Sequence, residues 1–97
     1  MSTPQALSSE AITEALEQLE GWEFENDAIH LSLEFDDFRD AISFIMRMSF
    51  EAEDLGHHPQ LSNVYNNVEI SLSTHDADDK VTEKDIELAR RINNLSL

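Results

Sequence analysis

Three of the four histidines in this sequence stand where secondary-structure elements are expected to end. His57 and His58 follow a long predicted helix, and His75 follows the last predicted strand. Histidine is the only side chain whose ordinary pKa makes it both an acid and a base near neutral pH. Glu53 lies one helical turn before His57, where a carboxylate can orient or tune an imidazole. These four residues are the candidate catalytic groups of an acid–base reaction.

The backbone around His58 gives the two neighbouring histidines different directions. Pro59 has a fixed φ and keeps the residue before it extended, so the His58 imidazole is aimed away from the helix. Successive side chains of an extended segment point to opposite sides. Each histidine also has a structural interpretation, because His57 or His58 can cap the helix C-terminus and His75 can be an ordinary loop residue. The fourth histidine, His30, falls on the polar face of a strand and is assigned no role.

A three-histidine zinc site is the rival interpretation of the same residues. Adjacent side chains such as those of His57 and His58 seldom converge on one ion, and the chain has no cysteine to supply a thiolate ligand. The absence of cysteine also excludes disulfides and cysteine nucleophiles. We therefore predict a site with no metal and no cofactor, although side-chain types alone leave metal binding and acid–base catalysis both open.

The charge of the chain narrows the choice of partners. Its 97 residues include 21 acidic and 6 basic side chains, which gives a formal charge of −15. Such a chain repels phosphate backbones and anionic lipids, so neither nucleic acid nor a membrane is an expected partner. No apolar stretch approaches the roughly 20 residues that span a bilayer, and the N-terminus lacks the features of a signal peptide. We expect a cytoplasmic protein whose acidic residues form a solvated surface or an adaptation to high salt.

The spacing of apolar residues predicts three helices and four strands. Helices are expected where apolar side chains recur every three or four residues, and strands where they alternate with polar ones. Gly21 and Gly56 are placed to end the first two helices, and Thr82, with Asp85 three residues later, opens the third. The predicted elements are a helix over 8–19, strands over 22–25 and 29–35, a helix over 37–55, strands over 61–65 and 68–74, and a helix over 82–92.

Turn residues pair the predicted strands into two hairpins, one turning at Asn26-Asp27 and the other at Asn66-Asn67. Because each hairpin has one polar face, the economical arrangement is a single four-stranded antiparallel sheet with all three helices on its apolar side. We predict an α+β two-layer sandwich in the order helix–strand–strand–helix–strand–strand–helix. A chain of this length is expected to form one domain over residues 1–97.

The histidines belong to a longer pattern that resembles the signature of the pterin-4a-carbinolamine dehydratases. The pattern is an acidic residue, three residues, His-His-Pro, then an aromatic residue, a further histidine and an aspartate. This sequence matches it with Glu53, the run 57–59, Tyr65, His75 and Asp85. The Leu-Glu-Gly-Trp segment that ends at residue 22 and the Phe-x-Asp-Phe segment that ends at residue 38 are also similar to the family. The resemblance covers nearly the whole chain.

Membership of that family would imply a function and a set of site residues. The family has the α+β layout described above and dehydrates 4a-hydroxytetrahydropterin to quinonoid dihydropterin without a metal, which recycles the cofactor of aromatic amino acid hydroxylases. It also forms dimers and tetramers, so a homo-oligomer is expected. The resemblance implies that the catalytic residues are His57, His58, His75 and Glu53, and that the pterin site is lined by Pro59, Thr74, Asp76 and Ala77.

The division of labour among the histidines is a further expectation. His58 and His75, from separate elements, are expected to flank the pterin, with His57 at the edge as a helper. All three lie at element ends, so their replacement is not expected to disturb the fold. The loop after His75 departs from the family, being one residue longer than its usual glycine-containing turn. Two alternatives are a non-catalytic oligomeric binding or regulatory partner protein of the same fold, and a relative that serves another cofactor pathway.

Overall fold

The computed structural model describes residues 5–95 and confirms the predicted α+β architecture and element order. Three helices accompany one four-stranded antiparallel sheet, whose strands lie in the order β1-β2-β4-β3. The elements are α1 (Ser9–Leu16), β1 (Glu23–Glu25), β2 (Ala28–Glu34), α2 (Phe38–Leu55), β3 (Gln60–Val64), β4 (Asn67–Leu72), a single 3-10 turn (His75–Ala77) and α3 (Glu83–Asn93).

The sheet has one dry and one polar face, as the alternation of residue types predicts. Leu31 of β2 lies opposite Ile70 of β4, and both are buried in the core shared with the helices. The next pair along, His30 and Ser71, faces the other side, where the His30 Nδ1 and the Ser71 hydroxyl lie 2.7 Å apart. His30 is therefore on the face of the sheet opposite to the core.

Helix α2 begins and ends where the sequence predicts. The Asp37 carboxylate accepts a hydrogen bond from the backbone N–H of Asp40, and Gly56 ends the helix with a φ of +63°. Glycine adopts this left-handed conformation without the steric cost that a Cβ brings. No helix within residues 5–95 has both the length and the apolar character needed to cross a membrane.

The spacing of apolar residues in α2 predicts a buried face that includes Ile42, and the observed face differs in part from it. Phe44 is completely buried, beside Ala41 and Met48, whereas Ile42 is 39% exposed. Apolar side chains cover more than one side of this helix, so periodicity alone does not decide which stripe faces the sheet. Four other apolar side chains form an exposed row, here called the α2 stripe, which consists of Phe38, Ile42, Met46 and Phe50.

The end of α1 and the turn of the second hairpin differ from their predicted positions. Helix α1 ends at Leu16, one turn before the predicted end, and Gly21 lies in the following turn with a φ of +90°. The second hairpin turns at Tyr65-Asn66 rather than at Asn66-Asn67, with a φ of +53° at Tyr65. The side-chain amide of Asn63 donates to the backbone carbonyls of both Tyr65 and residue 67, and these bonds stabilise the turn in that position.

Candidate active site

The three histidines lie at the same end of the molecule because three elements end there. Gln60 at the start of β3 pairs with Ser71 near the end of β4. The beginning of β3 and the end of β4 therefore lie at the same end of the sheet. His57 and His58 stand between the end of α2 and the start of β3, and His75 follows β4. The topology therefore brings together the residues that the sequence singled out.

His57 faces the protein interior and contacts α3. Its Nε2 lies 2.5 Å from Oδ1 of Asp85, a residue 28 positions away in the first turn of that helix. His57 is 8% exposed and Asp85 is completely buried. The pair connects the end of α2 to the beginning of α3.

Two threonines hold the carboxylate of Asp85. Its Oδ2 accepts a hydrogen bond of 2.8 Å from the Thr74 hydroxyl and another of 2.8 Å from the backbone N–H of Thr82. The second bond belongs to the capping box at the start of α3, the feature that Thr82 and Asp85 indicate in the sequence. The sequence marks Asp85 as a helix-capping and signature residue but does not place it in the site. Its spacing from His57 in the chain carries no signal that the two side chains meet.

His58 points to the surface and pairs with Glu53. Its Nε2 lies 2.7 Å from Glu53 Oε1, and the His58 side chain is 67% exposed. The helical spacing of the sequence placed Glu53 beside His57 instead. That spacing ceases to apply because the left-handed Gly56 ends the helix before the histidines, and the backbone N–H of His57 already bonds to the carbonyl of residue 52.

His75 is the most exposed of the three and has a carboxylate partner of its own. Its Nδ1 lies 3.0 Å from Asp79 Oδ1, and 92% of its side chain is exposed. The hydrogen bond to Asp79, together with the charges of Asp79 and Asp76, raises the pKa of His75 above 6.5. Asp78 and Asp79, in the loop that follows His75, both have a positive φ, of +58° and +59°.

The residues expected to line the pterin have different surroundings. Asp76 is exposed beside His75, and Pro59 and Ala77 are half-buried. Thr74 is buried, with its hydroxyl bonded to Asp85. Direct contact of these four residues with a substrate stays a prediction, and the described role of Thr74 is to hold Asp85.

The structure changes the expectation for His57. His57 was expected at the edge of the site and replaceable without effect on the fold, yet it is buried against a buried carboxylate. Within residues 5–95, no three histidine, aspartate or glutamate side chains are grouped so as to hold one metal ion. The metal-free site stays a prediction.

Comparison with known proteins decides the family. Residues 5–95 match the family model described as pterin 4 alpha carbinolamine dehydratase. The chain belongs to the pterin-4a-carbinolamine dehydratase family. This is a family of dehydratases. The match confirms the resemblance that the His-His-Pro motif and the later histidine and aspartate indicate.

Relatives of known sequence and structure belong to the same family. A protein of Opitutus terrae is 48% identical over 93 residues, which are 96% of each chain. One of Christiangramia forsetii is 48% identical over 89 residues, which cover 92% of this chain and 91% of that one. Both are named pterin-4-alpha-carbinolamine dehydratases, and both names carry a qualifier showing that the activity was inferred. A crystal structure from Brucella melitensis, titled transcriptional coactivator/pterin dehydratase, has a TM-score of 0.86 and 40% identity over 91% of this chain and 95% of that one.

The pairing of His75 with Asp79 gives an expected pH dependence. Asp79→Asn removes the main cause of the raised pKa of His75, so the pKa is expected to fall toward 6.5. The stabilisation that this pair gives the loop is present below pH 6.5 and is lost as the pH rises through the higher folded-state value. The measurement is the titration of the His75 ring proton by NMR. Asp78→Asn is the matched control, since Asp78 has the same backbone conformation and no part in the shift. Equal pKa values of His75 in the parent and in Asp79→Asn would contradict this account.

Glu53→Gln tests the pairing with His58. Glutamine keeps the shape and the helix propensity of glutamate but removes its charge. We expect a lower turnover with an unchanged circular dichroism spectrum, because Glu53 is exposed and contacts His58 at the surface. Glu14→Gln, an exposed change on α1, is the control for loss of one negative charge. Kinetics identical to those of the parent would show that Glu53 is a solvated surface residue with no part in turnover.

Proposed function

We propose that this protein dehydrates 4a-hydroxytetrahydropterin to quinonoid dihydropterin by histidine acid–base catalysis, in the recycling of tetrahydropterin. The observation that carries the proposal is that each of three histidines at one end of the sheet has its own carboxylate partner. The three pairs are His57–Asp85, His58–Glu53 and His75–Asp79. Membership of the dehydratase family and the names of the relatives support the substrate class.

The reaction needs one proton delivered and one removed. As the bond between C4a and its hydroxyl oxygen breaks, that oxygen takes a proton and leaves as water. A ring nitrogen loses its proton, and its electron pair forms the new double bond to C4a. Positioned imidazoles can perform both transfers near neutral pH, each typically worth about 10²–10⁴-fold in rate.

His75 is the group best suited to donate the proton. The raised pKa that Asp79 and Asp76 give it keeps the imidazolium populated at higher pH than for an ordinary histidine. Its exposure leaves the ring free to meet a substrate that approaches from solvent. We therefore propose His75 as the general acid for the leaving hydroxyl, with His58 flanking the pterin from the start of β3.

The deciding experiment is a dehydration assay with synthetic 4a-hydroxytetrahydropterin. The protein is expected to accelerate dehydration over the spontaneous rate, and to do so equally after extensive dialysis against a chelator. No acceleration would refute the proposed function. Stoichiometric zinc in the purified protein, with activity lost on its removal, would refute the metal-free mechanism. The cytoplasmic location expected from the sequence stays a prediction.

The α2 stripe supports the expected homo-oligomer. Its four side chains, each four residues from the next, extend for about 18 Å along the helix, and Met46 and Phe50 are 58% and 67% exposed. An antiparallel two-fold pairing of α2 with a second copy, centred on Met46, places Ile42 opposite Phe50. The same pairing places Arg39, at one end, opposite the negative Glu53 at the other, which makes the surface complementary to itself. We propose that copies of this chain associate through the α2 stripe.

Replacing Met46 by glutamate tests this assembly. Met46→Glu puts two like charges at the centre of the proposed interface and is expected to yield monomers, because buried unpaired charges are costly. Sedimentation velocity gives the measurement. Glu14→Gln on α1, an exposed change outside the stripe, is the control and should keep the parental mass. A parent that sediments as a monomer, or a Met46→Glu variant with the parental mass, would refute the interface.

The Brucella melitensis structure's title also names a coactivator, which keeps open a binding role for proteins of this fold. We propose such a non-catalytic role as the second candidate, and the exposed stripe is the surface that favours it. The dehydration assay separates the two candidates, since a binding protein needs no histidine-dependent turnover.

A further inference from the structure

We infer that Asp85, with Thr74 and Thr82, is a positioning residue that holds the His57 ring with its proton on Nε2 and leaves Nδ1 to accept the proton from the pterin. The part that names the pterin rests on the proposed function. The position of the ring proton follows from the hydrogen-bond donors around the Asp85 carboxylate, because each proton in this cluster has one consistent position.

The backbone N–H of Thr82 can only donate, so Oδ2 of Asp85 accepts that bond. The Thr74 hydroxyl donates to the same oxygen. Having used its proton there, it must accept in its 2.6 Å contact with the Thr82 hydroxyl, which therefore donates. The Thr82 oxygen in turn accepts from the backbone N–H of Lys84.

The remaining carboxylate oxygen fixes the tautomer of His57. An ionised carboxylate has lone pairs and no proton to give. Because Oδ2 is occupied by two donors, Oδ1 meets Nε2 as an acceptor, and the proton of that bond belongs to Nε2. A neutral imidazole has one donor and one acceptor nitrogen, so Nδ1 has the free lone pair.

The free nitrogen is available to a ligand. Within residues 5–95, no protein group forms a hydrogen bond to Nδ1 of His57, and the side chain keeps 9% exposure. A base needs a lone pair aimed at its substrate and a partner that stabilises the cation it becomes. His57 has an unshared lone pair at Nδ1, and Asp85 supplies a buried negative charge at the opposite nitrogen. This arrangement complements His75 as the acid and gives His57 more than a helper's part.

Asparagine at position 85 gives the sharpest test. Its amide has one acceptor oxygen, and the backbone N–H of Thr82, which can only donate, requires an acceptor at the site of Oδ2. The amide is therefore expected to turn its NH₂ group toward His57, which forces Nε2 to accept and moves the ring proton to Nδ1. In Asp85→Asn the base is then blocked by its own proton.

The experiment reads the tautomer directly. Long-range ¹H–¹⁵N NMR spectra of ¹⁵N-histidine-labelled protein without substrate, recorded under conditions in which the His57 ring is neutral, are expected to show the Nε2–H form for His57 in the parent and the Nδ1–H form in Asp85→Asn. Turnover of 4a-hydroxytetrahydropterin is expected to fall by about 10²–10⁴-fold in the variant, with KM nearly unchanged. Glu53→Gln is the control, because it perturbs the partner of His58 and should leave the His57 tautomer as it is.

The outcomes separate this inference from the proposed function. An Nδ1–H form in the parent, or an unchanged tautomer with parental turnover in Asp85→Asn, would overturn the inference even if the protein is a dehydratase. The expected tautomers in a protein without dehydratase activity would overturn only the proposed function. If Asp85→Asn does not fold, Thr74→Val and Thr74→Ser replace it. Loss of the hydroxyl in valine should lower turnover and serine should restore it, and equal turnover in both would contradict the inference.

Discussion

His58→Ala and His75→Ala are each expected to lower the turnover of 4a-hydroxytetrahydropterin by about 10²–10⁴-fold, the usual cost of removing a positioned acid or base. Both side chains are largely exposed, so neither replacement leaves a buried group unpaired. The circular dichroism spectrum and the unfolding midpoint should therefore match those of the parent. Steady-state kinetics with the synthetic substrate give the measurement.

The double variant and the fourth histidine provide the controls. His58→Ala/His75→Ala is expected to be much less than multiplicatively worse than either single variant, because groups that act as a unit lose activity non-additively and spontaneous dehydration sets a floor. His30→Gln should keep the parental turnover, since His30 lies on the other face of the sheet. If both single variants kept near-parental turnover while folded, the site would be elsewhere and the binding-protein candidate would become the better one.

His57→Ala is expected to destabilise the fold by about 3 kcal/mol, the scale on which buried polar or charged groups lose a partner. The change removes the only side chain that bonds Oδ1 of the completely buried Asp85, among the residues the structure describes. Urea unfolding followed by circular dichroism measures the loss. His58→Ala is the matched control, because it removes the neighbouring imidazole from an exposed position and should change the free energy of unfolding by less than about 0.5 kcal/mol.

A double-mutant cycle distinguishes the lost pair from lost packing. If the contact between His57 and Asp85 causes the effect, His57→Ala/Asp85→Ala should be destabilised by less than the sum of the two single changes, with a coupling of about 0.5–3 kcal/mol. A loss below about 1 kcal/mol in His57→Ala, or strict additivity in the cycle, would show that the pair contributes little to stability.

The candidate site shows how far the sequence reaches. Three histidines and Glu53 could be chosen because their residue types and their places at element ends are local properties. The carboxylate partner of each histidine could not be predicted from such local properties. Glu53 was expected beside His57 and lies beside His58, because a single left-handed residue, Gly56, rotates the chain out of the helical register on which the expectation depended.

Local chemistry determined the elements of this protein. Asp37 and Thr82 begin two helices by accepting hydrogen bonds from residues two or three positions ahead, and Gly56 ends one through its own backbone freedom. The alternation along β2 and β4 likewise depends on neighbours two residues apart. Such signals act within a few residues, so the sequence by itself determined the order of helices and strands and the wet and dry faces of the sheet.

Only the tertiary structure decided which side chains meet. Phe44 rather than Ile42 fills the core because α2 is apolar on more than one side, and packing against the sheet selects one of them. Asp85 reaches His57 across 28 residues because the end of α2 is packed beside the start of α3. A contact between distant segments depends on how whole elements pack together, and no spacing within the chain records that arrangement.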